Sequence, residues 1–196
     1  MVICRPGECR PSYRRREFGP MQQAALTKNE IEAQVRSLGV LVIDDSQYMR
    51  KIVRNLLLNV GVKEVYEASD GVAGLEAIRT IEPDMVVLDW ELPLLNGAEL
   101  ARIVRSPGVF PIPNVPIIML TSHGERWRVI EASRIGVNEY LVKPVSAKAL
   151  LDRMVSIIAK PRPIVQHGQY YGPEPRRSVT DAIRKPTGAS DDTVLI

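Results

Sequence analysis

Short runs rich in apolar and β-branched residues recur five times in the middle of the chain. They lie at residues 40–43, 64–68, 85–88, 117–120 and 139–142. Three of them, at 40–43, 85–88 and 117–120, are continuously apolar, which is typical of strands buried on both faces of a parallel sheet. The pattern therefore predicts five strands.

Longer stretches with apolar residues at helical spacing follow these runs. In the first stretch, apolar side chains recur every three or four positions from Met49 to Leu57, Ser46 is a suitable N-cap, and Gly61 ends the pattern. Further helices are predicted at 70–79, 96–105, 125–135 and 146–158.

This alternation of strands and helices through short connections is typical of the α/β class. It predicts a doubly wound five-stranded parallel sheet with helices on both faces. In such a sheet the carboxyl ends of all strands meet at one edge, and open α/β sheets bind their ligands there. Residues that directly follow the strands are therefore the candidates for a site.

Polar side chains suited to phosphate chemistry follow four of the predicted strands. They are Asp44 and Asp45, Asp89, Thr121, and Lys143. Carboxylates about 5 Å apart repel by roughly 3 kcal/mol per pair at an effective dielectric constant of 20, so three of them together require a cation. A carboxylate site without Cys or His suits Mg²⁺ rather than zinc or copper. The set describes a carboxylate nucleophile that accepts a phosphoryl group, with Lys143 and Thr121 contacting its oxygens.

Other functions remain open on these residues alone. Asp89 by itself could simply cap the turn that follows its strand. An aspartyl-phosphate hydrolase would place a second catalytic acid two residues after the nucleophile, where this chain has Glu91. A flavodoxin-like cofactor binder would need a phosphate-binding loop of glycines or hydroxyls after the first strand, where this chain has Asp44 and Asp45.

Composition and charge set the domain organisation. With 196 residues and 45% hydrophobic content, the chain suits one domain of about 120–150 residues with additional segments. The domain is predicted at 38–159, after a disordered basic segment at 1–20 and a short helix or linker at 21–37, in which Thr27 and Glu30 form a capping box. The Pro- and Arg-containing segment 160–196 is predicted to be largely disordered. No run approaches a membrane span, so a cytoplasmic protein is expected.

Four motifs, in order along the chain, resemble the receiver domain of two-component response regulators. They are Val-Ile-Asp-Asp-Ser at 42–46, Val-Val-Leu-Asp-Trp-Glu-Leu-Pro at 86–93, Ile-Met-Leu-Thr-Ser at 118–122 and Tyr-Leu-Val-Lys-Pro at 140–144. The resemblance covers about residues 38–159 and implies a flavodoxin-like receiver fold. It also implies that Asp89 is phosphorylated and that Mg²⁺ is bound by Asp45 directly, by Asp44 mainly through water, by Asp89, and by the backbone carbonyl of Glu91.

The same resemblance implies a switch. Lys143 would pair with the phosphoryl group, with a cis peptide bond before Pro144 orienting it. Thr121 would move toward the phosphoryl group, and Tyr140 would swing inward behind it. The change would remodel the face made by the helix at 125–135, the strand at 139–142 and the helix at 146–158.

The expected function is that of a stand-alone response regulator. A histidine kinase or phosphotransfer protein would phosphorylate it, and it would catalyse only its own phosphorylation and dephosphorylation. It would signal to a downstream protein by contact or through a homodimer at that face, without a DNA-binding domain; a relay intermediate or phosphate sink is the alternative. Glu91 departs from the family pattern and bears on the lifetime of the phosphoryl group. The tail around Tyr170–Arg177 resembles tails of some stand-alone receivers, and either docks on the domain or a kinase or is disordered.

Overall fold

The computed structural model describes residues 27–122 and 124–176, with the following elements. They are α1 (Lys28–Ser37), β1 (Gly39–Ile43), α2 (Gln47–Asn59), β2 (Glu64–Ala68), α3 (Gly71–Ile81), β3 (Met85–Asp89), α4 (Gly97–Val104), β4 (Ile117–Thr121), α5 (Arg126–Ile135), β5 (Glu139–Val142), α6 (Ala147–Ala159), β6 (Ile164–His167) and β7 (Tyr170–Pro173). The five strands and five helices predicted for the domain are present, with ends that differ by a few residues.

Strands β1 to β5 form one parallel sheet in the order β2-β1-β3-β4-β5. Alternate residues of its strands enter two separate cores. Leu41 and Leu88 pack with α3, α4 and α5 on one face, whereas Val42 and Val87 pack with α1, α2 and α6 on the other. Both faces of the central strands are therefore buried, which confirms the doubly wound α/β fold.

Polar side chains cap most of the helices at their first turn. The capping side chains are Thr27 for α1, Ser46 for α2, Asp70 for α3, Asn96 for α4 and Ser146 for α6. At α1 the capping box between Thr27 and Glu30 is present, as the sequence predicts. Helix α1 packs against α6 and buries Val35. Within the described part of the chain, no helix has both the length and the apolar character that crossing a bilayer requires.

The structure differs from the predicted C-terminal tail between residues 164 and 173. Here β6 and β7 pair antiparallel, with His167 opposite Tyr170 and a two-residue loop of Gly168 and Gln169 between them. Gly168 has a positive φ of 58°, a conformation that glycine adopts without steric cost. The prediction of disorder is wrong for this hairpin. The hairpin is ordered by contacts with residues of the domain that are distant in sequence, and a local sequence pattern does not reveal such contacts. The remaining predicted disordered residues, 1–20 and 177–196, lie outside the described residues.

Candidate functional site: an acidic cluster at the carboxyl edge of the sheet

Three carboxylates meet where β1 and β3 end. The register pairs Ile43 with Leu88, so the residues that follow them reach the same edge of the sheet. One oxygen from each of Asp44, Asp45 and Asp89 lies within 4.8 Å of the others. Asp44 and Asp89 are buried and Asp45 is exposed, so the cluster opens to solvent on the side of Asp45.

Lys143 bridges the two buried acids. Its Nζ lies 2.8 Å from Asp44 Oδ2 and 2.9 Å from Asp89 Oδ2. The Lys143 N–H donates to Thr121 O at 2.7 Å, which holds the backbone of Lys143 at this edge. The peptide bond between Lys143 and Pro144 is cis. Burial by itself lowers the pKa of Lys143, but the hydrogen bonds and charges of Asp44 and Asp89 outweigh burial, and the net pKa lies above 10.5. The amine is therefore charged at neutral pH.

The Lys143 amine does not fully neutralise the negative charge at Asp89. Burial raises the pKa of Asp89 above its ordinary value of 3.8, and the charge of Asp44 adds to the shift, against the opposing effect of Lys143 and of the Glu91 N–H. Three carboxylates and one ammonium give the cluster a net charge of about −2 when all are ionised. One exposed and two buried carboxylates provide only oxygen ligands, and a hard divalent cation such as Mg²⁺ prefers such a set. The residues present therefore fit the magnesium site predicted from the sequence.

Thr121 and Tyr140 lie next to this cluster. Thr121 is fully buried at the end of β4, one residue beyond Leu120, which pairs with Asp89 in the sheet. The Tyr140 hydroxyl hydrogen bonds to the Thr121 side chain, and the half-buried ring of Tyr140 packs against the core and points inward to Thr121. Burial raises the pKa of Tyr140 above 10, although Thr121 and Arg128 partly oppose the shift. The two predicted switch residues are thus in direct contact.

The loop between β3 and α4 packs tightly against the end of β3. A Cβ atom on Gly97 would lie 2.0 Å from the carbonyl oxygen of Asp89, so only glycine permits this approach. The Gly97 N–H donates to Trp90 O at 2.9 Å, which closes the loop. Within the loop, the N–H of Glu91 donates to the Asp89 carboxylate, and this contact places the backbone of Glu91 at the site.

An open cleft of about 450 Å³ adjoins the acidic cluster. Its lining residues are Asp45, Trp90, Glu91, Leu92, Pro93, Asn96 and Arg128. The Arg128 guanidinium lies between two indoles, 5.3 Å from the ring centre of Trp90 and 4.9 Å from that of Trp127. It also lies 3.7 Å from a carboxylate oxygen of Glu91. Arg128 was not predicted as a site residue, because nothing in the local pattern of α5 indicates contact with the loop after β3.

Comparison with known proteins agrees with this geometry. The response regulator receiver domain family matches residues 40–155, which is more than half of the chain. The chemotaxis protein CheY-3 of Vibrio cholerae is 34% identical over 125 residues, which cover 64% of this chain and 95% of CheY-3. CheY1 of Helicobacter pylori is 37% identical over 120 residues, which cover 61% of this chain and 95% of CheY1.

Solved structures show the same relationship. The receiver domain of Francisella response regulator 1452 is similar with a TM-score of 0.55 and 30% identity, over 60% of this chain and 93% of that domain. The chemotaxis response regulator CheY4 of Vibrio cholerae is similar with a TM-score of 0.55 and 29% identity, over 61% of this chain and 98% of CheY4. In fold, in family match and in the acids at the carboxyl edge of its sheet, the chain belongs to the response regulator receiver domains.

Proposed function

We propose that this chain is a stand-alone response regulator that accepts a phosphoryl group on Asp89 from a histidine kinase or phosphotransfer protein. One observation carries the proposal: Lys143 bridges Asp44 and Asp89 while Asp45 lies within 4.8 Å of both. A buried carboxylate that shares an ammonium with one further acid and lies close to a second suits a phosphoacceptor better than a turn cap.

The residues of the cluster have distinct parts in the transfer. A carboxylate oxygen of Asp89 attacks phosphorus, and the bond from phosphorus to the donor histidine nitrogen breaks, with the imidazole leaving with the bonding electrons. Lys143 holds Asp89 in place and pairs with the incoming phosphoryl oxygens. The buried hydroxyl of Thr121 donates to one of those oxygens.

A divalent cation completes the charge balance. Asp45, Asp44, Asp89 and the backbone carbonyl of Glu91 would hold Mg²⁺, which neutralises the acids and the negative charge on the phosphoryl oxygens. Without that cation the donor phosphate would approach a cluster that already carries an excess of negative charge.

Signalling would follow from the contact between Thr121 and Tyr140. Attraction of Thr121 to the phosphoryl group would favour the inward ring of Tyr140 and so alter the face formed by α5, β5 and α6, which we name the α5-β5-α6 face. A downstream protein or a second copy of this chain would bind that face in the phosphorylated form. A phosphorelay intermediate or phosphate sink would use the same chemistry at Asp89 without a downstream target.

An aspartyl-phosphate hydrolase is the second candidate, because Glu91 stands two residues after Asp89. The structure favours it less, since the Glu91 carboxylate lies beside Arg128 at the outer rim of the cleft. Sustained turnover of phosphomonoesters, rather than a single phosphorylation of the protein, would support the hydrolase.

The proposed reaction is tested by incubation with Mg²⁺ and a small acyl phosphate, followed by intact mass measurement. We expect an acid-stable, base-labile adduct of about 80 Da, one phosphoryl group, in the wild type and none in Asp89→Asn. Asp70→Asn is the matched control, because Asp70 follows β2 at the same edge but caps α3. An adduct that persists in Asp89→Asn would overturn the assignment.

A further inference from the structure

A C-terminal segment crosses the α5-β5-α6 face at the edge of the sheet opposite the acids. We name residues 160–176 the strap; it contains β6 and β7. Two glycines, Gly136 and Gly172, meet where the strap packs on the domain. A Cβ atom on Gly172 would lie 2.7 Å from Gly136 Cα, and one on Gly136 would lie 2.6 Å from Tyr171 O. Backbone therefore packs on backbone, at the end of α5, with no room for a side chain on either glycine.

Two arginines fasten the strap to the start of β5. Arg162 donates to the backbone carbonyl of Asn138 at 2.5 Å and to that of Glu174 at 2.9 Å. Arg176 pairs with the buried carboxylate of Glu139 and donates to Ser156 Oγ of α6 at 3.3 Å. Since Asn138 and Glu139 directly precede Tyr140, the strap holds the two residues ahead of the proposed switch.

The strap also covers a buried cation. Arg105, at the end of α4, donates to Gly136 O at 2.9 Å, Pro113 O at 2.6 Å and Asn138 Oδ1 at 3.0 Å. Burial lowers the pKa of Arg105 to about 10, against the opposing effect of Tyr170 and Tyr171 of the strap. Removing the strap would expose this network, which includes Asn138. The strap therefore stabilises the start of β5 in two ways: through its own arginines, and by covering the Arg105 network that holds Asn138.

Strand β5 connects the strap with the acidic cluster. It is a four-residue edge strand that pairs only with β4 in the sheet. The strap is attached to the first residue of β5, Glu139. Tyr140, the second residue of β5, points its ring to Thr121, and Lys143 directly follows the end of the strand. A strand held by one neighbour shifts more easily than a central strand, so the strap affects where β5 and Tyr140 lie.

We propose that the strap is a regulatory element of the phosphorylation site: its docking on the start of β5 favours the inward Tyr140 and thereby favours the phosphorylated state of Asp89. The inference rests on the proposed function. In this structure the docked strap and the hydrogen bond between Tyr140 and Thr121 occur together, which sets the direction of the effect. Coupling between two sites is reciprocal, so a phosphoryl group on Asp89 also tightens the strap.

The test uses the full chain and beryllofluoride with Mg²⁺ as a reversible mimic of the phosphoryl group, because reciprocity applies to binding equilibria. Tryptophan fluorescence, to which Trp90 directly after Asp89 and Trp127 both contribute, reports binding, and hydrogen exchange of residues 164–173 reports strap docking. Gly172→Ala forces the strap away from Gly136. Gly168→Asn is the matched control, since a Cβ atom on Gly168 would have nothing within 4 Å and asparagine tolerates its positive φ.

In the wild type we expect beryllofluoride to slow exchange of residues 164–173 at least about fivefold. We expect Gly172→Ala to weaken beryllofluoride binding by the same factor and Gly168→Asn to leave it unchanged. Arg176→Ala, which cuts the contact to Glu139 without steric change, should weaken binding in the same direction. It is the second variant.

The proposal would be overturned if the variants whose residues 164–173 exchange faster bound beryllofluoride as tightly as the wild type. A wild type that binds beryllofluoride normally but shows no difference among variants refutes the strap alone. A wild type that neither binds beryllofluoride nor forms the 80 Da adduct, about one phosphoryl group, refutes the proposed function as well.

Discussion

The two edges of the sheet both bury charged groups, but they balance those charges differently. At the carboxyl edge, Asp44 and Asp89 share one amine, Lys143, and Asp45 adds a further negative charge. At the amino edge, Glu139 is paired with Arg153 and Arg176 and accepts from Ser156.

Arg105 completes the contrast at the amino edge. It lies among three neutral oxygens that accept its hydrogen bonds. A buried charge with hydrogen-bond partners is accommodated within a fold, whereas a charge left in excess favours binding of an external ion. Burial of a charged residue therefore does not by itself mark a functional site; three carboxylates that share one amine do.

The largest expected effect comes from removing the amine at the carboxyl edge. Lys143→Met leaves two buried carboxylates without a cation, which should destabilise the fold by roughly 3–5 kcal/mol in Mg²⁺-free buffer. Urea unfolding measures the loss. The double variant Lys143→Met with Asp44→Asn should recover much of it, because one of the stranded charges is gone. An unchanged unfolding free energy in the single variant would show that the charges are not buried together.

Next in size is the loss of Arg105. Arg105→Met removes three donors and leaves Gly136 O, Pro113 O and Asn138 Oδ1 without them, a cost of about 3 kcal/mol in unfolding free energy. Because Arg105 lies at the edge opposite the acidic cluster, the affinity for Mg²⁺ alone should stay within about twofold of the wild type. Isothermal titration with Mg²⁺ measures this affinity. A tenfold loss of affinity in Arg105→Met would show that Arg105 contributes to the acidic cluster at the other edge.

Mg²⁺ should stabilise the wild type by about 2.7 kcal/mol at a concentration of 100 times its Kd and leave Asp89→Asn nearly unaffected. The pKa of Asp89 is raised in the folded state, so its ionised form costs stability at neutral pH. The Mg²⁺-free wild type should therefore gain stability from this group as the pH falls through that pKa, and Asp89→Asn should melt higher than the wild type at neutral pH. Thermal unfolding against pH, with and without Mg²⁺, tests both signs.

The pKa of Lys143 has the opposite consequence at high pH. It is raised in the folded state, so its ion pairs contribute fully below the unfolded value of 10.5 and are lost as the pH rises through the higher folded value. The same unfolding series extended to alkaline pH should show this loss in the wild type and not in Lys143→Met.

The smallest expected effect concerns Tyr140. Arg128 lowers the pKa of this tyrosine, so Arg128→Gln should raise it further above 10. The tyrosinate absorbance of each protein, minus that of its Tyr140→Phe version, isolates the titration. Arg102→Gln is the control, because Arg102 pairs with Glu131 on α5 at 2.8 Å. A pKa that falls in Arg128→Gln would contradict the contribution assigned to the guanidinium.

Most of the acidic cluster was predictable because strand ends are local features. The apolar runs that end at Ile43 and Leu88 indicate buried parallel strands, and parallel strands bring the residues that follow them to one edge. Thr121 and Lys143 followed from the same rule. Their separation along the chain does not matter, because topology alone brings strand ends together.

The rim of the cleft and the strap were not predictable in this way. Trp90 and Arg128 meet only because α5 begins above the loop after β3. Arg162 contacts Asn138 and Arg176 contacts Glu139 because the chain turns back after α6. Strands of four residues, with Gly and Pro in the second, are too short to give a periodic signal, so the segment resembles a disordered tail in sequence.

The alternation of strands and helices, the parallel sheet, and the acids and lysine at its carboxyl edge follow from the sequence, because hydrophobic periodicity and strand direction are carried by neighbouring residues. The partners of each buried charge, the arginine at the rim of the cleft and the contact of the strap with the start of β5 emerge only in the folded protein. Those outcomes depend on side chains from distant elements, whose distances and burial are set when the elements pack.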